Sequence, residues 1–226
     1  MLTPRLEMIL KQIKGSSVAD IGTDHAYIPI ELAKDITYRT IIATDLRPGP
    51  LKIAHANLCK YNLEHRVELR LGSGILPITP GETDTVIIAG MGGLLVADIL
   101  AEAMEQAKQA KLLLLQPMNA QAELRKWLCE HQFQIIEEDI AIEGFKVYNL
   151  LLVAYGECNF YQKEIDYHIP DSLLGHRYFD QLAEKKQREF GKIVAGLKHS
   201  LQPDTEKLAY YEQLSEELEE KKRRNI

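Results

Sequence analysis

From Val18 to His131 short apolar runs alternate with stretches of helical periodicity, and this rhythm restricts the fold more than any other feature of the chain. The runs cover residues 18–21, 40–44, 67–71, 85–89 and 112–115, each the length of a buried strand. Between them residues 28–34, 51–61, 94–108 and 121–131 carry helical periodicity. A helix over 3–13 precedes the first run, opened by Thr3-Pro4 and carrying Leu6, Ile9, Leu10 and Ile13 on one face. Strands that alternate with helices pair in parallel and are covered on both faces. After Gln132 the rhythm changes. Residues 134–142 and 146–155 are two successive strand-like runs joined by Glu143-Gly144-Phe145, which reads as a hairpin turn. The expectation is an α/β fold with a seven-stranded sheet whose last strand is antiparallel.

The sheet pattern stops within residues 156–171, which divides the chain into 1–160 and 161–226. Residues 172–201 then place Leu173, Leu174, Tyr178, Leu182, Phe190, Ile193, Val194, Leu197 and Leu201 mostly three and four apart, and Pro203-Asp204 breaks the pattern. A second helix follows with Leu208, Tyr211, Leu214 and Leu218, ending in Lys221-Lys222-Arg223-Arg224. Two amphipathic helices around a short break predict an antiparallel coiled-coil hairpin, with ~30 residues per helix and a reach of about 45 Å. This pairing leaves Arg177, Lys185, Lys186, Arg188, Lys192, Lys198 and the 221–224 cluster on outer faces.

Charge and cysteine usage exclude several function classes. The formal net charge is -6, and neither part of the chain is basic overall, so any polyanionic partner must be met by local patches. No apolar run approaches the ~20 residues of a membrane span, and the first fourteen residues lack a signal-peptide cleavage pattern. Cys59, Cys129 and Cys158 are widely spaced and form no Cys-x-x-Cys pair, which predicts reduced thiols in a cytoplasmic protein rather than a disulfide or a zinc site. The seven histidines, His25 and His55 among them, include no ligand pair at helical spacing, so no metal is expected.

The ends of the strands carry the chemistry. The first strand runs through Asp20 into Gly22, Thr23, Asp24 and His25, a tight turn that starts a helix. Gly22 allows the backbone close to a ligand, and Asp20 suits an ammonium group. A dinucleotide fingerprint would need Gly-x-Gly-x-x-Gly, whereas Gly22 is followed by Asp24 and Tyr27. Two carboxylates disfavour a pyrophosphate and favour a cationic ligand. Asp45 closes the second strand at the position of a ribose-binding carboxylate, or else caps the next helix. Gly72, Ser73 and Gly74 leave room for a flat adenine ring after the third strand. The fourth strand exits through Ala89, Gly90, Met91, Gly92 and Gly93, where a substrate base can slide close to backbone. No Asn/Asp-Pro-Pro-aromatic motif of exocyclic-amine methylation occurs there. Gln116 and Asn119 end the fifth strand, with amides able to read base edges or simply to cap the following helix.

Five strands closed by a hairpin, with these motifs at their ends, resemble the Rossmann-like fold of class I methyltransferases, which use S-adenosyl-L-methionine. A dinucleotide dehydrogenase would instead continue with a sixth parallel strand. More narrowly, Arg5-Leu6, Asp20-Ile21-Gly22-Thr23-Asp24-His25-Ala26-Tyr27, Asp45, Gly49-Pro50-Leu51, Arg70-Leu71-Gly72, Ala89-Gly90-Met91-Gly92-Gly93 and Leu115-Gln116-Pro117 resemble the bacterial TrmK family. That resemblance covers essentially the whole chain, and it implies methylation of ring nitrogen 1 of the adenosine at tRNA position 22. It implies Asp20, Gly22, Asp45, the 72–74 turn and Ala89, Gly90 and Met91 as cofactor-binding residues. Asp24 is the first candidate to accept from the exocyclic amine of the methylated base, with the 90–93 backbone and Gln116 as alternatives; Asp24 could instead bind the cofactor. The target nitrogen lies on the pairing edge, so the base must leave its stack, and Tyr27 or Tyr148 could hold it. Arg5 could meet the cofactor carboxylate or a phosphate, and Lys185 and Arg188 the tRNA body. The rival expectations are a small-molecule methyltransferase with a helical lid, and a non-catalytic RNA-binding or coiled-coil interaction protein.

Overall fold

In the computed structural model, which describes residues 2–158, 160–200, 202 and 204–225, the apolar runs form the centre of one sheet. Its strands are β1 (Ser17–Ile21), β2 (Thr40–Asp45), β3 (Glu68–Leu71), β4 (Thr85–Met91), β5 (Leu112–Pro117), β6 (Phe133–Glu143) and β7 (Lys146–Tyr155), in the spatial order β3-β2-β1-β4-β5-β7-β6. The first five pair in parallel, and β7 runs antiparallel to both β5 and β6. Central strands bury side chains on both faces: all six residues of β5 are buried. Strand order reverses between β1 and β4, which opens a crevice at their carboxyl ends, the usual ligand position in such sheets.

Helices α1 (Pro4–Gln12), α2 (Tyr27–Ala33) and α3 (Pro48–Lys60) cover one face; α4 (Gly93–Glu102), α5 (Met104–Gln109) and α6 (Gln121–Glu130) cover the other. In α1, Pro4 supplies the first turn and Leu6, Met8 and Ile9 are buried against the sheet. Burial of each such side chain is worth ~1.5–3 kcal/mol. The single helix expected over 94–108 is two helices, because Ala103 leaves helical geometry at φ -124° and ψ 47°. No helix crosses from β3 to β4. That connection is a chain of turns that buries Ile75 and Ile78 and is pinned by the two-pronged Arg70–Glu82 pair.

The C-terminal part is helical but shorter than its periodicity suggested. After α7 (Glu164–His168) a 3-10 turn over Asp171–Leu173 and Gly175 at φ +79° delay the long helix to α8 (Phe179–Lys198); α9 (Thr205–Arg224) follows. Leu201 and Pro203 lie outside the described residues. Lys198 pairs with Glu212 and Gln187 with Glu219, so α8 and α9 run antiparallel. At 20 residues each they extend about 30 Å, not 45 Å. Their apolar face also packs on the sheet hairpin, since Phe179, Leu182, Leu214 and Leu218 share a core with Ile140 and Val147.

This docking turns two expected surface lysines inward. Lys186 is 6% exposed and donates to Gln121 and Glu189. Lys221 is 3% exposed and lies between Asp166 and Asp171. A fully buried Arg125–Glu138 pair, bidentate and with Arg125 also donating to the Tyr167 carbonyl, fastens α7 to α6 and β6. The structure also joins Cys129 and Cys158 in a disulfide, with Cα atoms 5.1 Å apart, where three separate thiols were expected. The chain leaving β7 returns over the end of α6, a proximity that sequence spacing does not reveal.

Candidate active site

Two cavities open at the carboxyl ends of β1, β2 and β4 and meet at Gly22. The first, about 310 Å³, is lined by Arg5, Asp20, Gly22, Asp24, Tyr27 and Gly90 among others. The second, about 330 Å³, is lined by Gly22, Asp45, Ser73, Gly74, Met91 and Leu95 among others. Gly22 sits at φ +73°, with its N–H donating to the Thr44 carbonyl at 2.8 Å, and the Cε of Met91 occupies the space a side chain there would need. The left-handed backbone favours glycine, and a side chain there would have to move the flexible tip of Met91. Asp24 and Ala26, at φ 44° and 56°, continue the strained turn into α2. Such strain in residues with side chains gathers at ligand sites.

The two ends of this cleft differ in chemistry. Asp20 is 7% exposed, and burial pushes its carboxyl up from 3.8 to about 6, while the Thr23 hydroxyl and the Arg5 guanidinium pull it down. Asp24 is exposed and lies 3.4 Å from the Nε2 of His25, whose ring stacks on Tyr27 at 5.3 Å. At the other end, Asp45 accepts from the Arg47 N–H through Oδ1 at 2.8 Å, which leaves its second oxygen for a ligand. Leu46, Leu95 and Ile99 give that cavity apolar walls. A buried carboxylate at one end and a half-exposed carboxylate beside apolar walls at the other fit an amino-acid head joined to a nucleoside.

Around the cleft, Arg5 links several elements. Its Nη1 donates to Gln116 Oε1 at 3.0 Å, its N–H donates to Glu143 Oε1 at 2.8 Å, and its guanidinium lies 5.6 Å from the Tyr148 ring. Gly90 donates to the same Gln116 oxygen at 3.2 Å, and the Gln116 amide donates to the Pro117 carbonyl. Gln116 is therefore fully buried with its oxygen engaged, and it lines neither cavity. Tyr148 is 7% exposed and packed in the core, which corrects the expectation that it could stack a base; Tyr27 is 53% exposed and retains that capacity.

Other expected residues support the site from outside it. Gly72 donates to the Asp45 carbonyl, and a side chain there would strike Pro77. Gly93 packs against the Asn119–Ala120 backbone, and Gly92 faces the Asn119 side chain. Asn119 lines a separate groove toward the C-terminal helices, and Lys185 faces that groove, donating to the Val147 carbonyl at 3.2 Å, not outward as expected. Arg188 is on an outer face, 4.0 Å from Glu184. Thr44, Arg47, Leu95 and Ile99 at the cleft, and Glu143 behind Arg5, had no site role in the sequence. Leu95 and Ile99 stand one turn apart on α4, a signal that was readable; Glu143 carried none.

Residues 2–151 match the model of a methyltransferase domain family. The tRNA (adenine(22)-N(1))-methyltransferase of Bacillus subtilis (strain 168) is 34% identical over 157 residues, which cover 69% of this chain and 66% of that relative, just under two thirds of its length. A Streptococcus pneumoniae structure in complex with S-adenosyl-L-methionine is 30% identical, with a TM-score of 0.83 over 98% of this chain and 99% of that one. The Bacillus subtilis tRNA methyltransferase TrmK structure is 26% identical, with a TM-score of 0.84 over 98% of each chain. Fold and cleft together define a class I methyltransferase. Within that class, the chain belongs to the TrmK family.

Proposed function

We propose that this protein transfers a methyl group from S-adenosyl-L-methionine to ring nitrogen 1 of the adenosine at position 22 of tRNA. The observation that carries the reading is the divided cleft, with Asp20 at one end, Asp45 at the other and Gly22 between them. Asp20 takes the amino-acid ammonium, and the free oxygen of Asp45 takes a ribose hydroxyl. Ser73 and Gly74 flank the base, and Leu46, Leu95 and Ile99 cover its faces. When bound, the cofactor supplies an electrophilic methyl group on a sulfonium centre.

The chain's own task is positioning. Adenine nitrogen 1 is unprotonated at neutral pH, so no strong base is required; the lone pair needs alignment and the product needs a neighbour for its positive charge. Gly90, held by Gln116, sets the backbone past which the base slides. Asp24, exposed at the rim, accepts from the exocyclic amine, and Tyr27 stacks the unpaired base. Gln116 is a positioning residue in this account. Residues 1–160 act as the cofactor-binding unit, and residues 161–226 contribute tRNA contacts, with Arg188 and Lys192 on the outer face of α8. The test is incubation with S-adenosyl-L-methionine and unmodified total tRNA, followed by mass spectrometry of the nucleosides. The proposal requires 1-methyladenosine to accumulate, and its absence overturns it.

A further inference from the structure

A groove of about 420 Å³ lies between the start of α6 and the inward face of α8, apart from the cofactor cleft. It is the size of a nucleotide-scale pocket. It opens beside the exit of β4: the Gly93 N–H donates to the Asn119 carbonyl at 3.0 Å, and Met118 N–H to the Met91 carbonyl at 2.8 Å. The groove's rim at Met118 and Asn119 is thus joined directly to the segment that follows Gly90.

The groove's polar groups are incompletely satisfied. Lys185 donates to the Val147 carbonyl, its one hydrogen bond among the described residues, and the nearest carboxylate, Glu189, is 4.0 Å away. Glu189 is itself engaged by Lys186 at 2.9 Å, and Glu123, the other acid lining the groove, is exposed. The Nε2 of His168 is buried with no hydrogen-bond partner among the described residues. Burial and Lys186 hold its imidazole down to about 4, so it is neutral near pH 7. Ala120 precedes α6 at φ 50° with no side-chain cap, and the first turn of α6, whose N–H groups have no intrahelical acceptor, lines the groove. Met118, Phe190 and Ile193 add apolar surface to the lining.

We propose that this groove receives the nucleotide adjoining the methylated adenosine, with its phosphate on Lys185 and the first turn of α6 and its base along Met118 and Ile193. The proposal rests on tRNA being the substrate, and it places one contact inside the junction of the two parts instead of on the outer face of α8.

The test compares wild type, Lys185→Gln and Lys185→Arg in filter binding of an unmodified tRNA transcript across a salt series, with steady-state kinetics alongside. Lys185→Gln should flatten the log–log salt slope by about 0.7–0.9, the loss of one phosphate contact. It should raise KM for tRNA about tenfold or more, as for a lost charged hydrogen bond, with kcat and cofactor affinity within about twofold. Lys185→Arg should keep the wild-type slope. An unchanged slope and KM in Lys185→Gln overturns the proposal. So does a joint fall in thermal stability, kcat and cofactor affinity, which would make Lys185 a strut for β7. Because the slope needs no methyl transfer, a wild type that binds tRNA with this slope change but methylates nothing would sink the proposed activity and leave the groove standing.

Discussion

Arg5, on the first helix, and Gln116, at the end of the fifth strand, meet at 3.0 Å through a side-chain hydrogen bond, and Gly90 shares the same acceptor oxygen. One buried amide thereby ties the N-terminal helix to the Gly90 turn beside the cleft. Gln116→Leu fills similar space but leaves two donors without an acceptor. It should cost about 1–3 kcal/mol of stability and lower kcat about 10- to 100-fold as the Gly90 turn loses its position. Cofactor affinity should change far less. Unaltered turnover in a folded Gln116→Leu protein would remove Gln116 from the account.

Gly22 should tolerate a side chain poorly. Gly22→Ala places a residue in left-handed backbone, at roughly 1–2 kcal/mol, and forces the Met91 side chain, which lines the cofactor cavity, to shift. Calorimetry should show cofactor binding weakened more than tenfold while circular dichroism stays native. Wild-type affinity would mean that the ligand does not cross this turn.

Asp20 should make cofactor binding pH-dependent. Its carboxyl is raised to about 6 by burial, so the protonated form favours the fold. That stability is full below about 3.8 and is lost as pH rises through 6. Binding an ammonium group needs the carboxylate, so affinity should fall toward tenfold per pH unit as pH drops below 6, and Asp20→Asn should abolish this dependence. An affinity that is flat between pH 5 and 7 in the wild type would place the ammonium elsewhere.

Asp45 and Asp24 should separate binding from turnover. Asp45→Ala should weaken S-adenosyl-L-methionine by about 1.5–3 kcal/mol, the scale of hydrogen bonds to a charged group, without unfolding the domain. Asp24→Asn should instead lower kcat and leave cofactor affinity within a few-fold. If calorimetry finds the affinity collapsed in Asp24→Asn, Asp24 belongs to the cofactor cleft.

The sheet was readable because its signals are local. Val18, Ile41, Val86 and Leu113 sit in runs too short for helices, and Gly22 and Asp45 follow their strands directly. What failed needs tertiary knowledge. Residue periodicity cannot say that α8 presents Lys185 to β7 and Lys186 to α6, or that Gly175 delays its start. Nor could it show that Tyr148 lies under Arg5, or that Cys158 returns to Cys129. Gln116 was visible as a strand-end amide, but its partner, Arg5, stands 111 positions away.

The central claim is most directly tested by a matched pair of tRNA transcripts, one with adenosine and one with guanosine at position 22. Each is incubated with the protein and S-adenosyl-L-methionine, and the nucleosides are then read by mass spectrometry. The account predicts 1-methyladenosine from the first transcript alone. Equal methylation of both transcripts, or of neither, would contradict it.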